Sequence, residues 1–187
     1  FLRQDGVMTD LLGLSLCDEA GCIFRSQASG INDRDQVVGW SDTSLGGGRH
    51  AALWHDGRWT DLGTLPLCSV PGCGTGAWTS QAAAINDDGR VVGWSSTASP
   101  PPRYGRPHAV LWHDGVVMDL GAFNDDQSEA TAINNRGQIV GWSNTVVTCE
   151  ACSGQDTHAV LWQEGTMVDL GTLGGPYSRA HAINDRG

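Results

Sequence analysis

Six cysteines are the side chains most able to do chemistry, and they fall into close pairs: Cys17 with Cys22, Cys68 with Cys73, and Cys149 with Cys152. Two readings fit an even number of closely spaced cysteines. Local disulfides would staple long loops in an oxidising compartment. Zinc is the rival, because Cys149-Glu-Ala-Cys152 has knuckle spacing. Zinc needs a second ligand pair close by, and the other cysteines lie in different parts of the chain. A Cys-x-x-Cys redox site wants a βα context, which is missing here. The expectation is therefore three local disulfides, which rigidify loops more than they hold a fold.

His50, His108 and His158 each stand 11 residues before an aspartate, namely Asp61, Asp119 and Asp169. If each pair flanks a two-residue hairpin, His and Asp become diagonal neighbours on one sheet face. Repetition argues for a structural hydrogen bond in each unit, not one shared metal. Acidic turns at 86–88 and 124–126 suggest Ca2+ only weakly, since they lack the Asp-x-Asp-x-Asp-Gly spacing. No resident cofactor or metal is expected. No Gly-x-Ser-x-Gly, His-Glu-x-x-His or Gly-x-Gly-x-x-Gly site stands in a usable context. No isolated carboxylate pair suggests glycoside chemistry.

Function is better sought where the sequence does not repeat. Trp78 lies before one predicted strand, and the segment 100–107 carries Arg103, Tyr104 and Arg106 among prolines. Arginine with aromatics is the composition of a binding hot spot. The same residues also fit a stiff proline loop with solvated arginines.

Composition limits what these residues can serve. The chain has 187 residues, 26 glycines and 8 tryptophans, and all 11 of its positive charges are arginine. Without lysine there is no Schiff base and no phosphate-loop lysine. A net charge of -10 opposes nucleic-acid binding, which needs a basic face. No apolar run approaches the ~20 residues of a membrane helix.

Two half-motifs alternate along the chain with a period of about 50 residues. One is Ala-Ile-Asn followed by a turn and Val-Val-Gly-Trp-Ser, around Asn32, Asn86 and Asn134, with a stub at Asn184. The other is His-Ala-Val-Leu-Trp, a turn and Asp-Leu-Gly, from His50, His108 and His158. Each unit reads as four short strands, A to D. Asp56-Gly57 and Asp114-Gly115 are hairpin signals between C and D. The fold class is all-β with about fourteen strands. Four-stranded units at this period predict a β-propeller of about four blades, alone or within a larger array. The alanine-rich strand A suits the crowded inner position. The expected organisation is a single repeat domain, 1–187, in units 1–28, 29–79, 80–127, 128–177 and 178–187. The last unit lacks its strand B, so strand A around 180–184 is expected to continue or to accept a strand from a neighbour.

The segments His158-Ala159-Val160-Leu161-Trp162, 169–175 and Ala182-Ile183-Asn184-Asp185-Arg186-Gly187 resemble the bacterial extracellular HAF (His-Ala-Phe) repeat family. Weaker copies cover nearly the whole chain. Valine or alanine replaces the family's phenylalanine, and the loops with cysteines are insertions. The resemblance implies export and a repeat architecture, and brings no established enzymatic activity with it.

Paired cysteines, absent lysine and this resemblance place the protein outside a bacterial cell, secreted or on the surface. The chain opens at Phe1 and is read as a mature product or a fragment. Three functions follow as expectations. The first is a non-catalytic scaffold binding a glycan or protein. The second is a structural subunit assembling with copies of itself by strand exchange. The third is a carbohydrate-active enzyme at a channel mouth.

Overall fold

The computed structural model describes residues 2–4, 6–11, 25–43, 48–65, 78–97, 106–145 and 156–187. These residues are all-β apart from a 3₁₀ turn at Phe123–Asp125. A hairpin, β1 (Leu2–Gln4) and β2 (Val7–Thr9), comes first. Three antiparallel four-stranded sheets follow, each a simple meander in chain order. The first comprises β3 (Ser26–Ile31), β4 (Val37–Asp42), β5 (Arg49–His55) and β6 (Arg58–Gly63). The second comprises β7 (Ser80–Ile85), β8 (Val91–Ser96), β9 (Pro107–His113) and β10 (Val116–Gly121). The third comprises β11 (Ser128–Ile133), β12 (Ile139–Thr145), β13 (Asp156–Gln163) and β14 (Thr166–Gly171).

Local chemistry explains the meander. The hairpins at 56–57, 114–115 and 164–165 hold both central residues at positive φ, for example Asp114 at 51° and Gly115 at 75°. That is the turn whose twist matches the flanking strands, and Asp-Gly favours it. Glu164 takes the same conformation at φ 52° in the third sheet.

The core lies between the sheets. Strand β7 packs on β3, β4 and β5, and β11 on β7, β8 and β9. Val38, Ala51, Ala82, Val91, Val110 and Trp112 form one buried cluster. Val92, Ala109, Ala130, Ile139, Val160 and Trp162 form the next. Val91 and Val92 are consecutive, so they point to opposite faces of β8 and each enters a different cluster. The middle sheet is thus covered on both faces, which is why its B strand reads as a continuous apolar run. Burying each valine contributes about 1.5–3 kcal/mol.

Two features depart from the expected register. Strand A carries a bulge in each sheet, between Ala28 and Gly30, Ala82 and Ala84, and Ala130 and Ala132. Strand D carries another, so Asp119 faces Val110 while Gly121 faces Ala109. A plain hairpin would have set residue 121 against 108. The extra residue, Leu120, moves the pairing by one. The segment 180–184, expected as a strand, is not one; a single bridge joins Tyr177 to Thr157 nearby.

Candidate functional site

Strand direction sorts the connections into two ends. In every sheet the A–B turn and the C–D hairpin share one end. The B–C and D–A connections share the other. The predicted disulfide partners all fall in these latter connections. Cys17 and Cys22 precede β3, Cys68 and Cys73 lie between β6 and β7, and Cys149 and Cys152 lie between β12 and β13. Cys17, Cys22, Cys68, Cys73, Cys149 and Cys152 are all outside the described residues, as are Arg103 and Tyr104, so the three pairings stay expectations of the sequence. One end is therefore made of short repeated turns, and the other collects the sequence that does not repeat.

The turn end is built on Asn32, Asn86, Asn134 and Asn184. Asn86 Oδ1 accepts the N–H groups of Asp88 (3.1 Å) and Arg90 (3.0 Å), closing its own turn. Its Nδ2 donates to the carbonyl of Asn134, 3.1 Å away in the next repeat. Asn32 donates likewise to Asn86 O and Asn134 to Asn184 O, each at 2.9 Å. A second rung runs alongside: Asp33 N–H to Asp87 Oδ1, Asp87 N–H to Asn135 Oδ1, and Asn135 N–H to Asp185 Oδ1. The turns line an open cleft of about 310 Å³ with their Ile, Asn and Asp residues.

In each acidic turn one aspartate spends its oxygens on N–H donors. Asp87 accepts from Asp33 N–H and from the Asn135 amide, and these bonds hold its carboxyl below the ordinary range. Near the 3₁₀ turn, Asp126 is paired with Arg106. Among the described residues no cluster of three or more His, Cys, Asp or Glu side chains is arranged to hold a metal.

At the loop end each repeat carries a clamp. His108 Nδ1 lies 3.0 Å from Asp119 Oδ2, and Asp119 Oδ1 accepts Gly121 N–H at 2.7 Å. Gly121 sits at φ 78°, the left-handed conformation of the bulge. Ser128 Oγ then accepts Ala109 N–H and donates to Gly121 O, tying the next repeat's strand A across strands C and D. His50, Asp61, Gly63 and Ser80 repeat this arrangement. So do His158, Asp169, Gly171 and Ser178. The reach into the following repeat is a feature that local spacing did not disclose. The recurring Ser, 17 or 7 residues beyond the bulge glycine, was its only signal.

His108 is the buried member of its pair, with 7% of its side chain exposed against 42% for Asp119. Asp119→Ala is thus the harsher test, since it leaves a buried imidazole and the Gly121 N–H without their acceptor. It is expected to cost about 1–2 kcal/mol in urea unfolding. Partial burial pushes the carboxyls of Asp61, Asp119 and Asp169 up, but the His bond, the Gly N–H and the imidazole charge outweigh it. The net direction is down. A lowered folded-state pKa gives stability that is full above the unfolded value of 3.8 and is lost as pH falls through the folded value. Stability measured by denaturant titration is expected to fall below about pH 4, and less steeply in Asp119→Ala.

Arg106 does not project freely. It pairs with Asp126 across two connections, and its carbonyl accepts from the backbone and hydroxyl of Thr97. Trp78 is half-buried beside the start of β7. The structure therefore ties together Thr97 and Arg106, the two residues that flank the 98–105 segment.

Two stacked cations escaped sequence reasoning: Arg49 over Trp40 at 4.6 Å and Arg179 over Trp142 at 4.3 Å. Arg179 takes the position held by Gln27, Gln81 and Glu129 in the other repeats. Glu129 itself accepts Trp142 Nε1–H at 3.2 Å, the bond that Gln27 makes to Trp40. Burial raises its pKa, against the Trp142 bond and the Arg179 charge. A raised carboxyl costs stability when ionised and is relieved as pH falls toward its unfolded value of 4.5. Glu129→Gln, the repeat's own residue here, is expected to raise the melting temperature at pH 7. It should make no difference below about pH 4.

Comparison with protein-family models, with curated proteins and with solved structures returned no match.

Proposed function

We propose that this chain is a non-catalytic binding scaffold of the extracellular HAF-repeat kind, built as a β-propeller with each four-stranded sheet as a blade. Its ligand is a glycan or a protein, taken at the loop end. One observation carries this reading: the topology gathers the non-repeated connections at one end, while the other end is tied in a ladder of turn-to-turn hydrogen bonds. Insertions on a repeat scaffold map to one face, and binding residues concentrate on loops held by a rigid frame. The cysteine pairs, read as disulfides, stiffen three of those connections. Arg103 and Tyr104 supply the hot-spot chemistry, Arg106 is held by Thr97 and Asp126 where that segment rejoins the sheet, and Trp78 stands at the same end of the second sheet, before β7.

The test replaces 98–105 with the shorter connection 43–48 of the first sheet. It also substitutes Arg103→Ala with Tyr104→Ala, and screens all three proteins on glycan and protein arrays. Binding by the native chain that both variants lose, with melting temperatures unchanged, supports the reading. Binding that survives both changes overturns the assignment to this loop. Turnover of a polysaccharide by the purified chain would put the channel-mouth enzyme in its place.

A further inference from the structure

A cleft of about 360 Å³ lies between the second and third sheets, bordered by β9 and β10 on one side and by β12 and the β13–β14 hairpin on the other. Both sheets carry all four of their strands, and every residue of the lining is described. Leu111, Met118 and Leu120 form one wall, Ile139 and Trp162 the other. These walls extend the second core cluster, which contains Ile139 and Trp162 and against which Leu111 and Leu120 pack. Met118 differs from its neighbours. It is 54% exposed, a large apolar side chain left in water at the edge of an apolar cleft. In the first sheet Thr60 holds its position.

The polar groups of the lining are unequal. Asp119 commits its carboxylate to His108 and to Gly121 N–H. Gln163 Oε1 accepts Gln138 Nε2–H at 2.9 Å. Glu164 is exposed and, among the described residues, has no hydrogen bond or ion pair. Its counterparts stand beside a histidine: Asp56 is 3.7 Å from His55 Nδ1 and Asp114 is 3.3 Å from His113 Nδ1. In the third sheet that neighbour is Gln163, which has no charge to offer. The lining holds no arginine or histidine. Arg90 borders it at Gly137, where an added Cβ would sit 2.7 Å from the Arg90 Nη1. The first and third sheets have Gln36 and Gln138 at the Arg90 position.

We propose that this cleft binds a small organic cation, an apolar ring or chain that ends in an ammonium group. The apolar body lies against Met118, Leu120 and Trp162, and the ammonium meets Glu164 at the rim. Ligand sites are mostly apolar, with a few polar groups that fix orientation. Here the body covers the exposed Met118 side chain, while the charge stays at the wet edge and keeps much of its hydration. An anion would meet the unpaired carboxylate of Glu164, and a neutral molecule would gain nothing from it. A free amine and the N-terminal ammonium of a peptide that begins with an apolar residue share this chemistry. The cleft lies apart from the 98–105 segment, so the proposal stands or falls independently of the ligand proposed above.

The probe is 2-phenylethylamine, titrated into the full chain at neutral pH. The readout is the indole N–H resonance of Trp162, whose bond to Leu120 O lies in the cleft wall. 2-Phenylethanol and 3-phenylpropanoate are the neutral and anionic counterparts. The amine is expected to shift the resonance saturably, the alcohol to bind more weakly, and the acid not to bind. Glu164→Gln, at an exposed hairpin position, should bring the amine down to the affinity of the alcohol, a loss of about two- to fivefold. Met118→Thr, the residue of the first sheet, should weaken amine and alcohol alike. Arg90→Gln, the residue of the first and third sheets, should tighten the amine by removing a like charge. Phenylalanylglycinamide and its N-acetyl form separate the two sources. Binding tighter than that of the amine, and lost on acetylation, assigns a chain terminus; weaker binding assigns the free amine. No saturable shift overturns the proposal. So does binding of the acid as tight as that of the amine, or an amine affinity unchanged in Glu164→Gln.

Discussion

Asn86→Ala is expected to lower stability by about 2–4 kcal/mol. Asn86 is 4% exposed, and one side chain serves two jobs. Its Oδ1 closes the turn on Asp88 and Arg90, and its Nδ2 bonds the next repeat at Asn134 O. Alanine leaves the Asp88 and Arg90 N–H groups without their side-chain acceptor, and takes from the Asn134 carbonyl one of its two donors, the other being Gly137 N–H. Asn86→Asp separates the two jobs. The turn keeps its acceptor, but an oxygen now faces the Asn134 carbonyl oxygen, so the bond between repeats becomes a repulsion. The aspartate variant is expected to show most of the alanine loss. Urea unfolding with an unchanged slope is the measurement. An Asn86→Asp protein as stable as the parent would mean that each asparagine serves only its own turn.

The contrast between those two roles also marks what a sequence shows. The Asn-Asp-x-Gly turn is a local signal, and so are Asp114-Gly115 and the alternation that sets strands C and D. These fix the four-strand unit and the His–Asp pairing within one hairpin. The rung from Asn86 to Asn134 spans 48 residues and leaves no local trace beyond the recurrence of asparagine. The same holds for Ser128, which could be read only as a small strand residue until the Gly121 bulge placed Ala109 N–H and Gly121 O on either side of it. Bulges were hidden for a related reason. Gly63, Gly121 and Gly171 read as the start of a loop, whereas each ends strand D in the left-handed conformation that shifts the register. Arg106 shows the limit for the candidate site. Its composition suggested a free binding cation, and only the approach of two connections revealed Asp126 as its partner.

The largest loss is expected from Gly93→Ala, a change of one methyl group in the middle of β8. Strand β7 lies so close here that a Cβ on Gly93 would sit 2.0 Å from Gln81 O and 3.0 Å from Ala82 Cα, just before the bulge at Ala82–Ala84. Both are backbone atoms, so no side chain can swing away. The bulge cannot slide either, because Ser80 Oγ is fixed between Ala51 N–H and Gly63 O of the first sheet. Relief would need β7 to leave β8 or the first sheet, and either opens the buried cluster around Ala82 and Val91. The cost is expected to exceed about 3 kcal/mol, above the usual range for overpacking because backbone must move. Gly115→Ala is the control. At φ 75° with nothing within 4 Å of its would-be Cβ, Gly115 has strain but no clash. It should cost about 1 kcal/mol. Gly39 and Gly141 meet the equivalent carbonyls, Gln27 O at 1.8 Å and Glu129 O at 1.9 Å, so their alanine variants should match Gly93→Ala in kind. If Gly93→Ala and Gly115→Ala unfold at the same urea concentration, strand A can rearrange. The glycine of Gly-Trp-Ser would then be a matter of backbone freedom and not of space.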